Sequence, residues 1–220
     1  MWNWLRAAIG RYLSGGASVS DTQHDEVIPV WLIVGLGNPD REHTDNRHNV
    51  GFMALDRLAD DFRLPAWRQK FSSHITEGQL GRDRALLMKP QTYMNLSGRA
   101  VAEAARFYKI APENIIVLHD ELDLPPAKLR VKKGGGAAGH NGLKSIDADF
   151  GSQDYWRVRM GIGHPGDKAR VSGYVLSDFT GDERHKIDLL NAAIARHIEL
   201  LLGGRDADFM TKISQDTKDN

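Results

Sequence analysis

Trp31-Leu-Ile-Val-Gly-Leu36 is a continuous apolar run that stops at Gly37-Asn38-Pro39. A short run without alternation is the profile of a strand buried on both faces of a sheet, and it delivers a loop at its C-terminal end. The same profile returns at Ile115-Ile-Val-Leu118, where His119-Asp-Glu-Leu-Asp123 is expected as a second polar strand-end loop before Pro125-Pro126 breaks the chain. Between the two runs, Val50, Met53, Ala54 and Leu58 recur at helical spacing, which predicts a helix to about residue 62 with His48 near its N-terminus. Working outward, the pattern predicts strands over 72–79, 84–89, 127–131 (an edge strand) and 156–162, and helices over 96–108, 141–148 and 182–202. Ile187, Leu190, Ile194, His197 and Leu201 form one stripe, so His197 reads as a packed or rim histidine rather than a ligand. The polar residues after Phe209 are expected to fray. Strands alternating with helices predict a single three-layer α/β domain: a mixed, mostly parallel twisted sheet with helices on both faces, and ligands beyond the carboxyl ends of the strands.

The 220 residues carry 29 Lys and Arg against 29 Asp and Glu, so the formal net charge is zero and a nucleic-acid partner has to be met by a local patch. The absence of cysteine excludes disulfides, thiolate nucleophiles, thiolate zinc sites and iron–sulfur clusters. No apolar run reaches the roughly 18 residues needed to cross a bilayer, so a soluble body is expected. Residues 1–30 read as an extension to a domain over 31–204, with a C-terminal tail over 205–220. Trp2, Trp4, Leu5 and Ile9 beside Arg6 and Arg11, with no acid before Asp21, fit a transit segment, an amphipathic surface helix or an unstructured extension.

Common motifs find little support, and a nucleotide-dependent oxidoreductase stays as a third reading that nicotinamide or flavin binding would have to carry. Gly35-Leu-Gly37 lacks the third glycine and the immediate helix of a dinucleotide fold. The loop from Gly134 to Gly139 is followed by His140-Asn141 rather than the Lys-Ser/Thr of a phosphate-binding loop. There is no Gly-x-Ser-x-Gly elbow and no His-Glu-x-x-His helix. Asn38, His48, Asn95, Asp120, His140 and Asn141 remain at the ends of the expected elements. Each alone serves as a cap or turn residue; together they suit a metal-free hydrolase with a histidine base, an orienting carboxylate and neutral amide donors for an oxyanion. The acid-free stretch 124–146 holds Lys128, Arg130, Lys132, Lys133 and Lys144 around a glycine-rich loop, which fits a solvated face and a phosphate grip equally. Arg157 and Arg159 alternate along a strand, with Lys168 and Arg170 following, and are expected to widen that patch.

The blocks Trp31-Leu-Ile-Val-Gly-Leu-Gly-Asn-Pro39, Arg47-His-Asn-Val-Gly51, Lys89-Pro-Gln-Thr-Tyr-Met-Asn-Leu-Ser-Gly98, His119-Asp-Glu-Leu-Asp-Leu-Pro125, Gly139-His-Asn-Gly-Leu143 and Met160-Gly-Ile-Gly-His-Pro-Gly166 closely resemble bacterial-type peptidyl-tRNA hydrolases. The resemblance runs from about Trp31 to Leu202. It implies a monomeric α/β fold without cofactor or metal, and hydrolysis of the ester joining a peptide to the terminal ribose of tRNA, recycling tRNA from aborted translation. The implied partner is peptidyl-tRNA, met at its acceptor end and 5′ phosphate, with no stable protein partner. The implied location is the cytoplasm, or an organelle matrix if residues 1–30 are a transit segment. By this resemblance His48 is the base that activates water, and Asp120 holds its imidazole in the useful tautomer. Asn38 distinguishes N-blocked from free aminoacyl groups, Asn95 and Asn141 bind the tRNA 3′ end and peptide backbone, and Tyr93 and Met94 line the cleft. Arg130 and Lys132 fall where the family clamps the 5′ phosphate. Asp40, His43 and Asn46 depart from the family pattern, His43 standing where an aromatic residue commonly contacts tRNA. The departures at Asp40 and His43 motivate one alternative, a non-catalytic RNA-binding relative on the same fold; intact His48, Asp120 and the three asparagines speak against it.

Overall fold

The computed structural model describes residues 31–218; the extension expected over 1–30 lies outside them. Strand β1 (Trp31–Gly35) is at the centre of a seven-stranded sheet among the described residues. The other strands are β2 (Arg68–Lys70), β3 (Ser73–Leu80), β4 (Asp83–Pro90), β5 (Ile115–Glu121), β6 (Leu129–Lys133) and β7 (Trp156–Gly161). They are ordered β2-β3-β4-β1-β5-β7-β6. The central strands β4, β1, β5 and β7 run parallel, β3 on one side and β6 on the other run against them, and β2 pairs antiparallel with β3.

Alternation along β1 builds a core on each face of the sheet. Ile33 joins Leu55, Leu58, Ile116, Ile194 and Ile198, so helices α1 (Val50–Asp61) and α5 (Gly181–Leu202) cover one face. Leu32 and Val34 join Met88, Val101, Val117 and Ile146, so α2 (Ser97–Tyr108) and α3 (Asn141–Phe150) cover the other. The three layers are those expected from the sequence. Helix α5 starts at a capping box in which Thr180 and Glu183 bond each other's backbone amides. His197, near its end, meets Asp216 at 3.0 Å on the rim.

The structure departs from the sequence reading in three places. The polar residues after Leu118 are strand rather than loop. β5 continues through Glu121 because pairing with β7 continues, His119 opposite Arg159 and Asp120 opposite Met160. The end of the chain is helical rather than frayed: α6 (Asp206–Asp216) buries Phe209 and Ile213, which at four-residue spacing share a face against the α1–α5 core. The short helix α4 (Val171–Val175) and strand β2 were not expected, since neither has an apolar period of its own.

Candidate active site

Close backbone approach brings the polar set together. A side chain at Gly51 would meet the Leu118 carbonyl oxygen at 2.4 Å and the Leu36 amide nitrogen at 2.5 Å, so only glycine lets the start of α1 press on the ends of β1 and β5. The turn before it, Arg47–Asn49, thereby sets His48 beside Asp120. At Gly142 an added carbon would lie 2.6 Å from the Met94 sulfur, so α3 begins tight against Met94 and carries His140 and Asn141 to the same place.

At the centre, His48 Nδ1 lies 2.7 Å from Asp120 Oδ1, and His140 Nε2 lies 2.9 Å from that same oxygen. The tautomers follow from the partners. The backbone N–H groups of Gly142 and Leu143 donate to His140 Nδ1, so its proton is on Nε2 and is given to Asp120. His48 donates from Nδ1, which leaves Nε2 as a lone pair. His48, Asp120 and His140 are close enough to surround a cation. However, both histidine nitrogens facing the carboxylate carry protons in this arrangement, so they are donors and not ligands.

Charge follows geometry. Burial raises the Asp120 carboxyl, but the two histidines outweigh it and hold the group well below the usual carboxylate range. Burial pulls His48 down, yet the charge and hydrogen bond of Asp120 leave it above its ordinary value of 6.5. His119 is pushed down to about 3 by burial, with His140 adding to it. It donates from Nδ1 to the Asp120 carbonyl at 2.8 Å, and its shielded Nε2 has no partner.

Asn38 and Asn49 clasp each other: the Asn38 backbone N–H donates to Asn49 Oδ1 at 2.8 Å, and Asn49 Nδ2 donates to the Asn38 carbonyl at 2.9 Å. The side-chain oxygen of Asn38 accepts the Met94 N–H at 3.0 Å. Its amide nitrogen is left as an unengaged donor.

These groups border a cavity of about 1150 Å³. Asn38, His48, Tyr93, Met94, Asn95 and Asp120 line it, as do Lys132, His140 and Asn141. His43 and Arg130 lie outside its lining. His43 Nδ1 is 3.6 Å from Asp40 Oδ2, and Arg130 is an exposed residue of β6 that donates to its own Leu129 carbonyl. Arg157 and Arg159 of β7 border the same cavity as expected, with Lys168, but the charges of both arginines are already engaged. Arg157 is buried on Asp147, the Gly136 carbonyl and the Tyr155 ring, and Arg159 is paired with Glu121 at 2.8 Å. Among the described residues, the free cations at this cavity are Lys132, Lys144 and Lys168.

Three contributors were not given roles by sequence reasoning. His140 was visible as a polar residue, but its bond to Asp120 depends on packing across α3 and β5. Asn49 follows His48 directly and carried no separate signal. Arg47 fixes the His48 turn from below: it donates to the carbonyls of Ser177 and Asp178, pairs with Glu183, and stacks on Tyr174 at 4.5 Å. Asn46, one of the departures, donates to Asp178 at 2.7 Å and so belongs to the same brace.

Fold and site together define an α/β protein with an Asp-held histidine and an amide donor at the carboxyl ends of parallel strands. The family model described as peptidyl-tRNA hydrolase matches residues 32–220. A peptidyl-tRNA hydrolase of Methylobacterium sp. (strain 4-46) is 60% identical over 182 residues, covering 83% of this chain and 89% of the relative. One from Acidiphilium cryptum is 55% identical over 189 residues, covering 86% and 98%. The crystal structure of peptidyl-tRNA hydrolase from Acinetobacter baumannii matches with a TM-score of 0.79 at 40% identity, covering 84% of this chain and 94% of that one. The chain belongs to the peptidyl-tRNA hydrolase family.

Proposed function

We propose that this chain hydrolyses the ester between peptide and tRNA with His48 as general base. The observation that carries this reading is the Nδ1 contact of His48 to Asp120, which presents a basic Nε2 at the cavity that Asn38 also lines. Water gives a proton to His48 Nε2 as its oxygen attacks the ester carbonyl; Asp120 stabilises the imidazolium. The carbonyl oxygen becomes an oxyanion, and the unengaged amide nitrogen of Asn38 is the donor placed to meet it. Collapse breaks the bond to the ribose oxygen, which leaves with the proton from His48. A positioned base contributes about 10² to 10⁴ in rate, and a preorganised donor about 10² to 10³. An ester leaving group is good enough that these suffice without a metal or cofactor.

Asn38 also accounts for selectivity. Its donor finds a carbonyl on an N-acylated substrate, whereas a free ammonium offers no acceptor. Asn95 and Asn141 are exposed at the same cavity and serve as adaptable contacts to the 3′ end and peptide backbone, with Tyr93 and Met94 as its wall. Lys132 and Arg130, neighbours along the edge strand β6, form the clamp for the 5′ phosphate, and His43 stacks on tRNA at the outer loop. The cytoplasm, where translation makes the substrate, is the proposed location; no helix among the described residues is long and apolar enough to cross a membrane.

The test compares N-acetyl-aminoacyl-tRNA with free aminoacyl-tRNA in the presence of a chelator. Only the blocked substrate is cleaved, and His48→Ala loses nearly all turnover while tRNA binding persists. Unchanged turnover in His48→Ala overturns the mechanism, and RNA binding without cleavage by the native chain moves the reading to a non-catalytic relative.

A further inference from the structure

A second cavity opens at Asn38, with a volume of about 540 Å³ and no part in the chemistry described above. It lies between α1, α5 and the β3–β4 hairpin, and Asn38 lines both cavities. Their charges are opposed. Asp40, Asp45, Asp56, Asp60 and Asp188 line the second one. Its cations are already engaged: Lys89 with Asp56, Arg184 with Asp45 and Asp188, and Arg57 with Asp61. Asp60 has no cation partner among the described residues. The larger cavity holds Asp120 and Glu121, both paired, and the exposed Asp123, but against these it carries, among the described residues, three free cations, Lys132, Lys144 and Lys168. A substrate with a polyanionic end and a peptide end has its orientation set by this difference: RNA toward the lysines, peptide past Asn38 toward the acids.

An independent observation says what the second cavity lacks. Asn191 of α5 lines it, is 3% exposed, and has a shielded Oδ1 with no donor. A buried carbonyl without a donor is costly, so the site favours a ligand that brings an N–H group. A phosphate or a carboxylate brings only acceptors. A peptide backbone, an ammonium or a guanidinium supplies what Asn191 and the free carboxylate need.

We propose that the second cavity is a peptide-side subsite that takes the residue preceding the esterified one and prefers basic over acidic side chains there. This rests on the hydrolase reading above.

Three substrates on one tRNA test it: N-acetyl-alanyl-, N-acetyl-lysyl-alanyl- and N-acetyl-glutamyl-alanyl-tRNA. The native chain shows kcat/KM for the lysyl substrate about two- to five-fold above the glutamyl one, the range of a rim charge contact. Asp60→Lys, at an exposed position, abolishes or reverses that order, and Asn191→Leu lowers both longer substrates relative to N-acetyl-alanyl-tRNA. Equal rates for the two longer substrates in the native chain, or an order retained in Asp60→Lys, overturn the subsite while leaving the hydrolase reading intact. Failure to cleave any of the three overturns both.

Discussion

His48 and His140 donate to the same oxygen of Asp120, at 2.7 and 2.9 Å, so the carboxylate divides its charge between the base and a second, fixed imidazole. The two substitutions that disturb this sharing have opposite signs. His140→Leu removes one donor, leaves Asp120 more basic toward His48, and raises the His48 pKa further. The acidic limb of the kcat/KM profile, set above 6.5 by the raised His48, moves to higher pH. Asp120→Asn removes the charge, moves the limb down, and lowers kcat by about 10³ to 10⁴ through loss of tautomer control. Shifts in the same direction in a pH–rate series would contradict the shared-oxygen arrangement.

The basic edge makes a separate prediction. Replacing Arg130 and Lys132 with Ala weakens peptidyl-tRNA binding and lowers the slope of log K against log salt by about one per lost phosphate contact. Cleavage of a minimal ester without the tRNA body stays as it was. Equal losses on both substrates would show that these residues act on the fold instead.

Arg47 is buried on Glu183, two backbone carbonyls and an aromatic ring, so its removal leaves those acceptors without their donor. Glu183 keeps partial access to water, which softens the cost. Arg47→Met is therefore expected to lower stability by about 3 kcal/mol, at the low end for a broken buried pair. The urea midpoint measures it, and a change under about 0.5 kcal/mol is the contrary result.

His119 predicts acid sensitivity. Its pKa is held at about 3 in the fold, while the unfolded chain takes up the proton near 6.5. The stability is complete above 6.5 and is lost as pH falls toward 3, by about 1.4 kcal/mol per pH unit from this group. His48 works in the other direction, because its raised pKa favours the folded state as pH falls. Denaturation of native and His119→Gln protein between pH 6.5 and 5 isolates the term: the native slope is steeper by that amount, and parallel slopes count against it.

The buried runs around Ile33 and Val117 were legible because strands covered on both faces leave an uninterrupted apolar signature, and amphipathic α1 and α5 likewise declared themselves. Asp120 was legible as a residue but not as part of a strand, since β5 owes its last residues to pairing with β7 and not to its own composition. Arg157 and Lys132 look alike in the sequence, and only packing against Tyr155 and Asp147 distinguishes a structural cation from a free one. α6 was hidden because two buried side chains anchor an otherwise polar segment. The second cavity had no signature, because its acids come from separate elements.

In the mechanism proposed above, the Asn38–Asn49 clasp ties the residue that reads the substrate to the neighbour of the residue that activates water. On that proposal, a ligand that displaces Asn38 also disturbs the turn that carries His48, and recognition is coupled to turnover through two hydrogen bonds.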